Sequence, residues 1–383
     1  MFYNRDSLLH AARGTTGLRD FGTADFLEPL DILIRDYQMN ASLNWKGVAG
    51  SWYYLHRMLS NRLRLNHFIR HTNAANTPIR APVFILGLPR TGSTLLHEMM
   101  ASHPDFRAPC FWEATFVPGR SQADRVRQWV SSAQITLVDQ LTPGFRSVHS
   151  LGTHLPHECI TMQALSLRTM QFHAAHHLPE YNQWLETCDW QPAYDYHRWY
   201  LQWLQHGEPD KRWILKAPGH LLSLPALINT YPDARLVQLH RDPAEVIPSM
   251  ASLFLHLRSP FSHEVDAAVI GQDVTRQWSK GLSDTLQLRT DNPDINARVI
   301  DIHYRELVED PTTTLGRILK FVGVEETEAS ARAVGQYLEA NPKGKHGSHR
   351  YSLAQFGLNS SDLEAAFSDY NRRYQGLTPA KGS

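Results

Sequence analysis

Residues 83–96 read Val-Phe-Ile-Leu-Gly-Leu-Pro-Arg-Thr-Gly-Ser-Thr-Leu-Leu, and this segment predicts a strand, a tight loop and a helix in succession. The apolar run from Val83 to Leu86 has the length and the boundaries of a buried parallel strand. The glycines and the proline that follow predict a tight loop, and the spacing of leucine and methionine after Gly92 predicts a helix. Because backbone N–H groups converge where such a loop enters a helix, the segment is typical of a phosphate-binding site.

The residues of this loop supply the candidate phosphate ligands. Arg90 offers a planar fork of N–H donors, Ser93 and Thr94 offer hydroxyls, and Thr91 and Gly92 complete the turn. A loop that binds nucleoside triphosphates carries a lysine directly after its second glycine, and this chain has Ser93 there. That lysine contacts the β- and γ-phosphates. The sequence therefore favours a ligand that presents a terminal phosphate without a triphosphate chain.

Two further strands are predicted, and each one ends next to a basic residue. They span Trp213–Leu215 and Arg235–His240, and the basic residues are Lys216 and Arg241. A proline shortly after Arg241 suits the first turn of a helix, and that helix would carry Ser249. Strands that alternate with helices and carry ligand groups at their carboxyl ends predict an open parallel α/β sheet.

These motifs together resemble the sulfotransferases that use 3′-phosphoadenosine 5′-phosphosulfate (PAPS). The loop at residues 87–94 is similar to the family's 5′-phosphosulfate loop, and Arg241 followed eight residues later by Ser249 is similar to its 3′-phosphate site. The resemblance covers roughly residues 80–350 and is closest to bacterial members with a helical N-terminal segment. It implies transfer of a sulfuryl group from PAPS to a hydroxyl, or less favourably an amine, of a small acceptor. The family's reaction requires no metal.

The resemblance also implies roles for four candidate catalytic residues. Lys216 takes the place of the strand-end lysine that helps the family carry out sulfuryl transfer. Glu113, once a two-residue insertion is allowed, takes the place of the glutamate that removes the acceptor's proton in tyrosylprotein sulfotransferases. His220 and Glu158 are alternative bases, although cytosolic sulfotransferases have their histidine at the position of Pro218. A second interpretation has Glu113 capping a helix or pairing with an arginine.

A basic, glycine-containing segment lies near the C-terminus at residues 342–351. It resembles the family's C-terminal loop that closes over the nucleotide, and this likeness makes Lys343 and Lys345 candidate cofactor-binding residues. A solvated surface loop is the alternative interpretation, because glycine and lysine are ordinary loop residues. Further elements are predicted on either side of it: a strand over 298–304 and helices over 313–322 and about 360–373.

The fold predicted for the whole chain is an α/β fold of the P-loop type, with three layers, a central parallel sheet and helical additions. Residues 1–80 are predicted to form a helical appendage, and residues 81–383 the sulfotransferase-like α/β domain. Residues 120–210 are predicted to be a helical insertion that is rich in Trp, Tyr and His. Aromatic residues at helical spacing are most often core residues, and the alternative is that they line the acceptor pocket.

The overall charge is balanced, with 38 basic and 38 acidic residues among 383. This balance predicts no general attraction to nucleic acid or to an anionic membrane surface, so local basic groups must bind a highly anionic ligand. The three cysteines Cys110, Cys159 and Cys188 form no CxxC pair, which favours reduced thiols in a cytoplasmic protein. Neither a signal pattern nor a bilayer-spanning run is expected. The expected partner is a small-molecule acceptor, which the aromatic-rich middle segment suggests is an apolar or aromatic alcohol, and the oligomeric state is left open.

Two alternatives from other classes stay open at the level of sequence. A nucleoside triphosphate-dependent small-molecule kinase would explain a phosphate loop, but the chain lacks the expected lysine and such a kinase gives Arg241 and Ser249 no role. A non-catalytic nucleotide-binding or scaffold protein would explain the loop but not the presence of candidates for every catalytic role.

Overall fold

Five parallel strands form the sheet at the centre of the fold. The structure is a computed structural model, and it describes residues 3–142, 151–209, 211–341 and 352–374. The strands are β1 (Val83–Gly87), β2 (Phe106–Arg107), β3 (Arg212–Lys216), β4 (Arg235–His240) and β5 (Val299–His303). Their order across the sheet is β2-β3-β1-β4-β5, and every neighbouring pair is parallel. The predicted α/β fold with a central parallel sheet is therefore confirmed.

Alternate residues of β1 face two separate hydrophobic cores. Phe84 and Leu86 belong to the larger core, and Val83 and Ile85 belong to the smaller one. Because successive side chains of a strand point to opposite faces, the two cores lie on opposite faces of the sheet. All five residues of β1 are buried, which is the pattern of a strand covered by helices on both sides. The three-layer arrangement follows from this burial.

Helices join the strands and cover the sheet. In the N-terminal segment they are α1 (Arg5–Thr16), α2 (Leu27–Met39) and α3 (Trp45–His71). Between β1 and β3 they are α4 (Ser93–Ala101), α5 (Phe111–Thr115), α6 (Ala123–Leu141), α7 (Ile160–Gln163), α8 (Gln171–Ala175), α9 (Pro179–Leu185) and α10 (Gln191–Gln205). From β3 to β5 they are α11 (Leu224–Thr230), α12 (Pro243–Arg258), α13 (Ala267–Asp291) and α14 (Pro293–Asn296). After β5 come α15 (Tyr304–Glu309), α16 (Pro311–Val322), α17 (Glu328–Ala340), α18 (Ser360–Ala366) and α19 (Ser368–Tyr374).

Short 3-10 helices complete the regular structure, at Ala24–Phe26, Ala74–Asn76, Ala164–Ser166, Pro218–Ser223 and Ala354–Phe356. Several long helices, among them α2, α3 and α13, bury an apolar face in the larger core. Among the helices that the structure describes, none combines the length and the apolar character that crossing a membrane requires.

The N-terminal helices pack into the same core as the sheet. Leu30 of α2 and Leu59 of α3 are buried in the larger core together with Phe84 of β1. The helices predicted for residues 1–80 are therefore present, and their apolar faces are covered by the rest of the chain. The domain boundary at residue 80 stays a prediction.

The aromatic residues of the helical stretch between 120 and 210 also contribute to the core. Tyr194 and Tyr196 on α10 are buried, and so is Trp203, whose ring stacks on Phe68 of α3 at 4.3 Å. Three more tryptophans pack against the same core from partly buried positions, namely Trp184, Trp190 and Trp199. The structure therefore shows core packing for these side chains, as the more common interpretation expects.

Two element predictions differ from the structure. Helix α16 begins at Pro311 rather than at residue 313, because Asp310 accepts from the N–H of Thr313 at 3.0 Å and so caps the earlier turn. The single helix predicted over 360–373 is wrong, since the chain leaves the helical conformation at Phe367 (φ −112°, ψ 18°). Phe367 is buried at this break, so core packing of its ring accompanies the interruption.

Replacing Gly87 by alanine is expected to destabilise the fold. Its φ of +138° suits glycine, and an added Cβ would lie 2.5 Å from the carbonyl oxygen of Leu239 in β4. We expect Gly87→Ala to lower the free energy of unfolding by about 1–3 kcal/mol, measured by urea denaturation. Gly316→Ala in α16 is the control, because an added Cβ there has no neighbour within 4 Å and alanine gains about 0.5–1 kcal/mol inside a helix. Equal stabilities of the two variants would contradict this account of the strand end.

Candidate active site

Glycines at both ends of the loop shape the phosphate-binding segment. The loop connects β1, which ends at Gly87, to α4, which begins at Ser93. Gly92 precedes the helix with a φ of +82°, and a Cβ there would lie 3.1 Å from the Leu307 side chain. The backbone at Gly87 and Gly92 therefore follows a path that favours glycine. The strand, loop and helix predicted for residues 83–96 are confirmed.

The first turn of α4 presents hydrogen-bond donors toward the mouth of the loop. Gly92 occupies the N-cap position and has no side chain with which to cap the helix. The first N–H groups of an α-helix have no carbonyl partner within it, and they lie at the positive end of the helix dipole. Ser93 and Thr94 add half-buried hydroxyls to this turn. Such an arrangement favours a bound anion.

Thr91 contributes to the loop through its conformation. Its side chain is buried, and its hydroxyl donates to the carbonyl oxygen of Leu88 at 2.7 Å. The hydroxyl is therefore bonded within the loop itself. Arg90, the neighbouring residue, has a φ of +65°, a region that residues with a side chain seldom adopt.

Arg241 lies against the phosphate loop. Its Nη1 donates to the carbonyl oxygen of Arg90 at 2.8 Å, and its guanidinium lies 4.2 Å from the centre of the Tyr304 ring. Glu245, four residues further on, lies 3.0 Å from the same guanidinium. The Arg241 side chain is 26% exposed, so part of it faces solvent. The two anion-binding segments predicted from the sequence thus meet at one edge of the sheet.

Lys216 lies on the other side of β1 and is buried. It is the last residue of β3, and the strand register pairs it with Ile85. Its ammonium forms an ion pair with Glu158, and the two side chains are 3% and 14% exposed. The N–H of Cys159 donates to the carbonyl oxygen of Lys216 at 2.9 Å, which ties the segment around Glu158 to the strand end. The sequence singled out both residues but not the contact between them.

Glu113 is held as a helix cap. Its Oε2 accepts from the N–H of Cys110 at 3.1 Å and closes a capping box at the start of α5. Its Oε1 lies 3.2 Å from Nη2 of Arg107. These are the two contacts of the second interpretation given above. Both carboxylate oxygens therefore have partners in the structure, and the role of Glu113 as a base stays a prediction.

His220 is a core residue. It lies fully buried in the 3-10 helix after β3, where its Nδ1 is 2.7 Å from the Tyr194 hydroxyl and Phe84 packs edge-on against its ring. Burial holds the pKa of His220 well below its usual value, so the imidazole is neutral. No part of its side chain is exposed in the structure, and its role as a base stays a prediction.

The remaining predicted ligands are Ser249 and the two C-terminal lysines. Ser249 lies on α12, the helix that follows Arg241, and is buried. Its contact with a 3′-phosphate stays a prediction. Lys343 and Lys345 lie outside the described residues. The sequence did not single out Tyr304, whose ring contacts the Arg241 guanidinium. Its position directly after β5, at the end of a strand, was the one sign of a site residue.

A family model for sulfotransferases matches residues 82–328. The chain belongs to the sulfotransferase family. This sulfotransferase is 25% identical over 293 residues to the omega-hydroxy-beta-dihydromenaquinone-9 sulfotransferase Stf3 of Mycobacterium bovis, covering 72% of this chain and 71% of that one. The crystal structure of sulfotransferase STF1 from Mycobacterium tuberculosis is 30% identical, with a TM-score of 0.84 over 96% of this chain and 99% of STF1. Sulfotransferase STF9 from Mycobacterium avium, 22% identical, shares the fold with a TM-score of 0.88 over 97% and 96% of the two chains.

Family membership confirms the predicted enzyme class and sulfuryl donor. The protein is a PAPS-dependent sulfotransferase, and a kinase is not favoured. The residues of this sulfotransferase fit such a donor, since N–H and hydroxyl donors line the loop and Arg241 lies beside it. Within the described ranges, no three His, Cys, Asp or Glu side chains are grouped as metal ligands.

Proposed function

We propose that this sulfotransferase moves the sulfuryl group of PAPS to the hydroxyl of a small apolar acceptor by in-line displacement. The loop before α4 holds the 5′-phosphosulfate. The side chains of Arg90, Ser93 and Thr94 and the backbone of Thr91 and Gly92 contact it. The 3′-phosphate is held by Arg241 with Ser249. The observation that carries this proposal is the hydrogen bond from Arg241 to the Arg90 carbonyl, which keeps the guanidinium beside the loop. One nucleotide with phosphates at both positions can therefore contact both groups.

Lys216 is the residue best placed to stabilise negative charge on the departing oxygen. When bound, PAPS supplies the sulfuryl group and a phosphate leaving group. Lys216 ends β3 directly beside β1, and its ammonium has three donors, so it can keep its bond to Glu158 and offer others. A fixed cation in a buried site acts strongly on developing charge, because the surrounding dielectric is low.

Glu158 is the base that the geometry favours. Its carboxylate contacts Lys216, so an acceptor hydroxyl that approaches the lysine also approaches Glu158. A base must come within hydrogen-bonding reach of the proton that it removes. Glu113, which the family resemblance favours, has both oxygens bound elsewhere. We propose Glu158 as the base because it lies beside Lys216, and Glu113 stays the alternative that the family resemblance implies.

Apolar side chains next to Glu158 support an apolar acceptor. The segment before Glu158 runs beside α5, where the N–H of Phe111 donates to the carbonyl oxygen of Leu155 at 3.0 Å. Phe111 packs edge-on against His157 at 4.9 Å, and Leu155 is 38% exposed. Stf3 of Mycobacterium bovis is named for omega-hydroxy-beta-dihydromenaquinone-9, which agrees with an acceptor that carries a hydroxyl.

We also propose that this sulfotransferase acts in the cytoplasm.

Thermal stability with bound nucleotides tests the donor site. We expect adenosine 3′,5′-bisphosphate to raise the Tm, because a ligand that binds only the folded protein stabilises it by about 2.7 kcal/mol at about 100 times its Kd. ATP with magnesium is the control and is expected to give little shift. Stabilisation by ATP–magnesium without stabilisation by the bisphosphate would contradict the proposal. Transfer of radiolabelled sulfate from PAPS to hydroxylated apolar acceptors measures the activity itself.

Glu158→Gln tests the assignment of the base, with Glu113→Gln as the matched control. We expect Glu158→Gln to lower kcat by about 100- to 10,000-fold, because the amide keeps the size of the side chain but does not take up the proton. Its affinity for the bisphosphate should stay near the wild-type value. Glu113→Gln is expected to keep kcat, because a glutamine still accepts from the Cys110 N–H, and to lose at most about 1 kcal/mol of stability with the Arg107 ion pair. If kcat fell in Glu113→Gln and not in Glu158→Gln, Glu113 would be the base.

A further inference from the structure

Three groups of this chain contact the guanidinium of Arg241. Its Nη1 donates to the Arg90 carbonyl oxygen at 2.8 Å, and its carbon lies 4.2 Å from the centre of the Tyr304 ring. The third group is Glu245, whose Oε2 accepts from Nε at 3.0 Å and lies 3.0 Å from Nη2. The edge of the guanidinium that carries Nε and Nη2 is therefore occupied by a carboxylate of the chain itself.

The edge that Glu245 occupies is one that suits a phosphate. The N–H bonds of Nε and Nη2 lie parallel, and such a pair can bind two oxygens of a carboxylate or a phosphate. Nη1 is already bonded to the Arg90 carbonyl, and Tyr304 covers a face of the guanidinium rather than an edge. A phosphate that pairs with the Nε–Nη2 edge therefore has to replace Glu245.

Glu245 also lies on the helix face where the 3′-phosphate is expected. It belongs to the first turn of α12, and Ser249 follows one turn later. Residues four apart in a helix share a face, and Arg241 contacts Glu245 from the chain just before the helix. A phosphate bound between Arg241 and Ser249 would therefore lie beside the Glu245 carboxylate. Because like charges at short distance repel, Glu245 opposes that phosphate even where the two share no N–H group.

The contact with Glu245 can be released while the other two persist. The Glu245 side chain is 52% exposed, so its carboxylate can turn into solvent, and an exposed ion pair contributes little to stability. Tyr304 is partly buried and lies against the loop, since a Cβ on Gly92 would lie 3.2 Å from its ring. The contacts of Arg241 with Tyr304 and with the Arg90 carbonyl do not involve Glu245, so they keep the guanidinium beside the loop.

We propose that Glu245 is a resident counter-ion of Arg241 that the 3′-phosphate of the donor displaces. The inference rests on the role proposed above for Arg241. Glu245 pairs with the guanidinium when no nucleotide is bound, and the loss of this pairing lowers the affinity for the nucleotide. PAPS and the adenosine 3′,5′-bisphosphate that remains after transfer carry the same 3′-phosphate. The competition therefore weakens binding of both and favours release of the product.

Isothermal titration of Glu245→Gln with two nucleotides tests this role. We expect adenosine 3′,5′-bisphosphate to bind about 3- to 10-fold more tightly than to the wild type, because glutamine keeps the size of the side chain but not its charge. Adenosine 5′-phosphate, which lacks the 3′-phosphate, should bind as it does to the wild type. In steady-state assays, the KM for PAPS and the inhibition constant of the bisphosphate should fall, and the KM for the acceptor should stay as it is.

Asp284→Asn is the matched control. Asp284 forms an ion pair with Lys280, four residues before it on α13, and both side chains are exposed. The variant therefore removes the same charge from a pair of the same spacing on another helix, and we expect both affinities to stay at the wild-type values. Added salt should narrow the difference between Glu245→Gln and the wild type, because it screens an exposed carboxylate.

Unchanged or weaker binding of the bisphosphate to Glu245→Gln would overturn the inference, since Glu245 would then have no effect or would hold Arg241 in place for the phosphate. Equal tightening in Asp284→Asn, or of both nucleotides in Glu245→Gln, would also overturn it, because the cause would be net charge. A failure of the proposed function looks different: the wild type itself would bind the bisphosphate no more tightly than adenosine 5′-phosphate, and the role of Arg241 would be wrong together with that of Glu245.

Discussion

Gly87 of β1 and Leu239 of β4 lie so close that no side chain fits between them, and the active site depends on this closeness. A Cβ on Gly87 would lie 2.5 Å from the Leu239 carbonyl oxygen, and the strand register pairs the two residues. Because neighbouring parallel strands end at the same edge of a sheet, the loop after β1 and Arg241 after β4 meet there. The hydrogen bond from Arg241 to the Arg90 carbonyl is thus a consequence of register.

Burial gives the two cations beside the loop different properties. Lys216 ends β3 on one side of β1 and is paired with Glu158 in a nearly buried site. Removing one partner of such a pair leaves an uncompensated charge, so the ammonium is held in place. Arg241 is partly exposed and stacks on Tyr304, which suits a residue that binds and releases a nucleotide. These differences agree with the roles proposed for the two residues, Lys216 in the reaction and Arg241 in binding.

Local sequence patterns account for the parts of the fold and site that could be predicted. The segment from β1 to α4 was predictable because a short apolar run followed by spaced glycines is a local signal, and β4 has the predicted bounds. The pair of Lys216 and Glu158 joins residues 58 positions apart, and no local pattern reports such a contact. His220 was a candidate because it is near Lys216 in sequence, which says nothing about burial. Glu113 stands in a recognisable motif, but only the folded chain shows which partners its oxygens have.

The central claim is that one nucleotide contacts both the phosphate loop and Arg241. Isothermal titration of the wild type and Arg241→Ala with adenosine 3′,5′-bisphosphate and adenosine 5′-phosphate tests this claim most directly. We expect the wild type to prefer the bisphosphate and Arg241→Ala to lose that preference. The bisphosphate should bind about 10- to 100-fold more weakly to the variant, since a hydrogen bond to a charged group contributes about 1.5–3 kcal/mol. An undiminished preference for the bisphosphate in Arg241→Ala would contradict the claim.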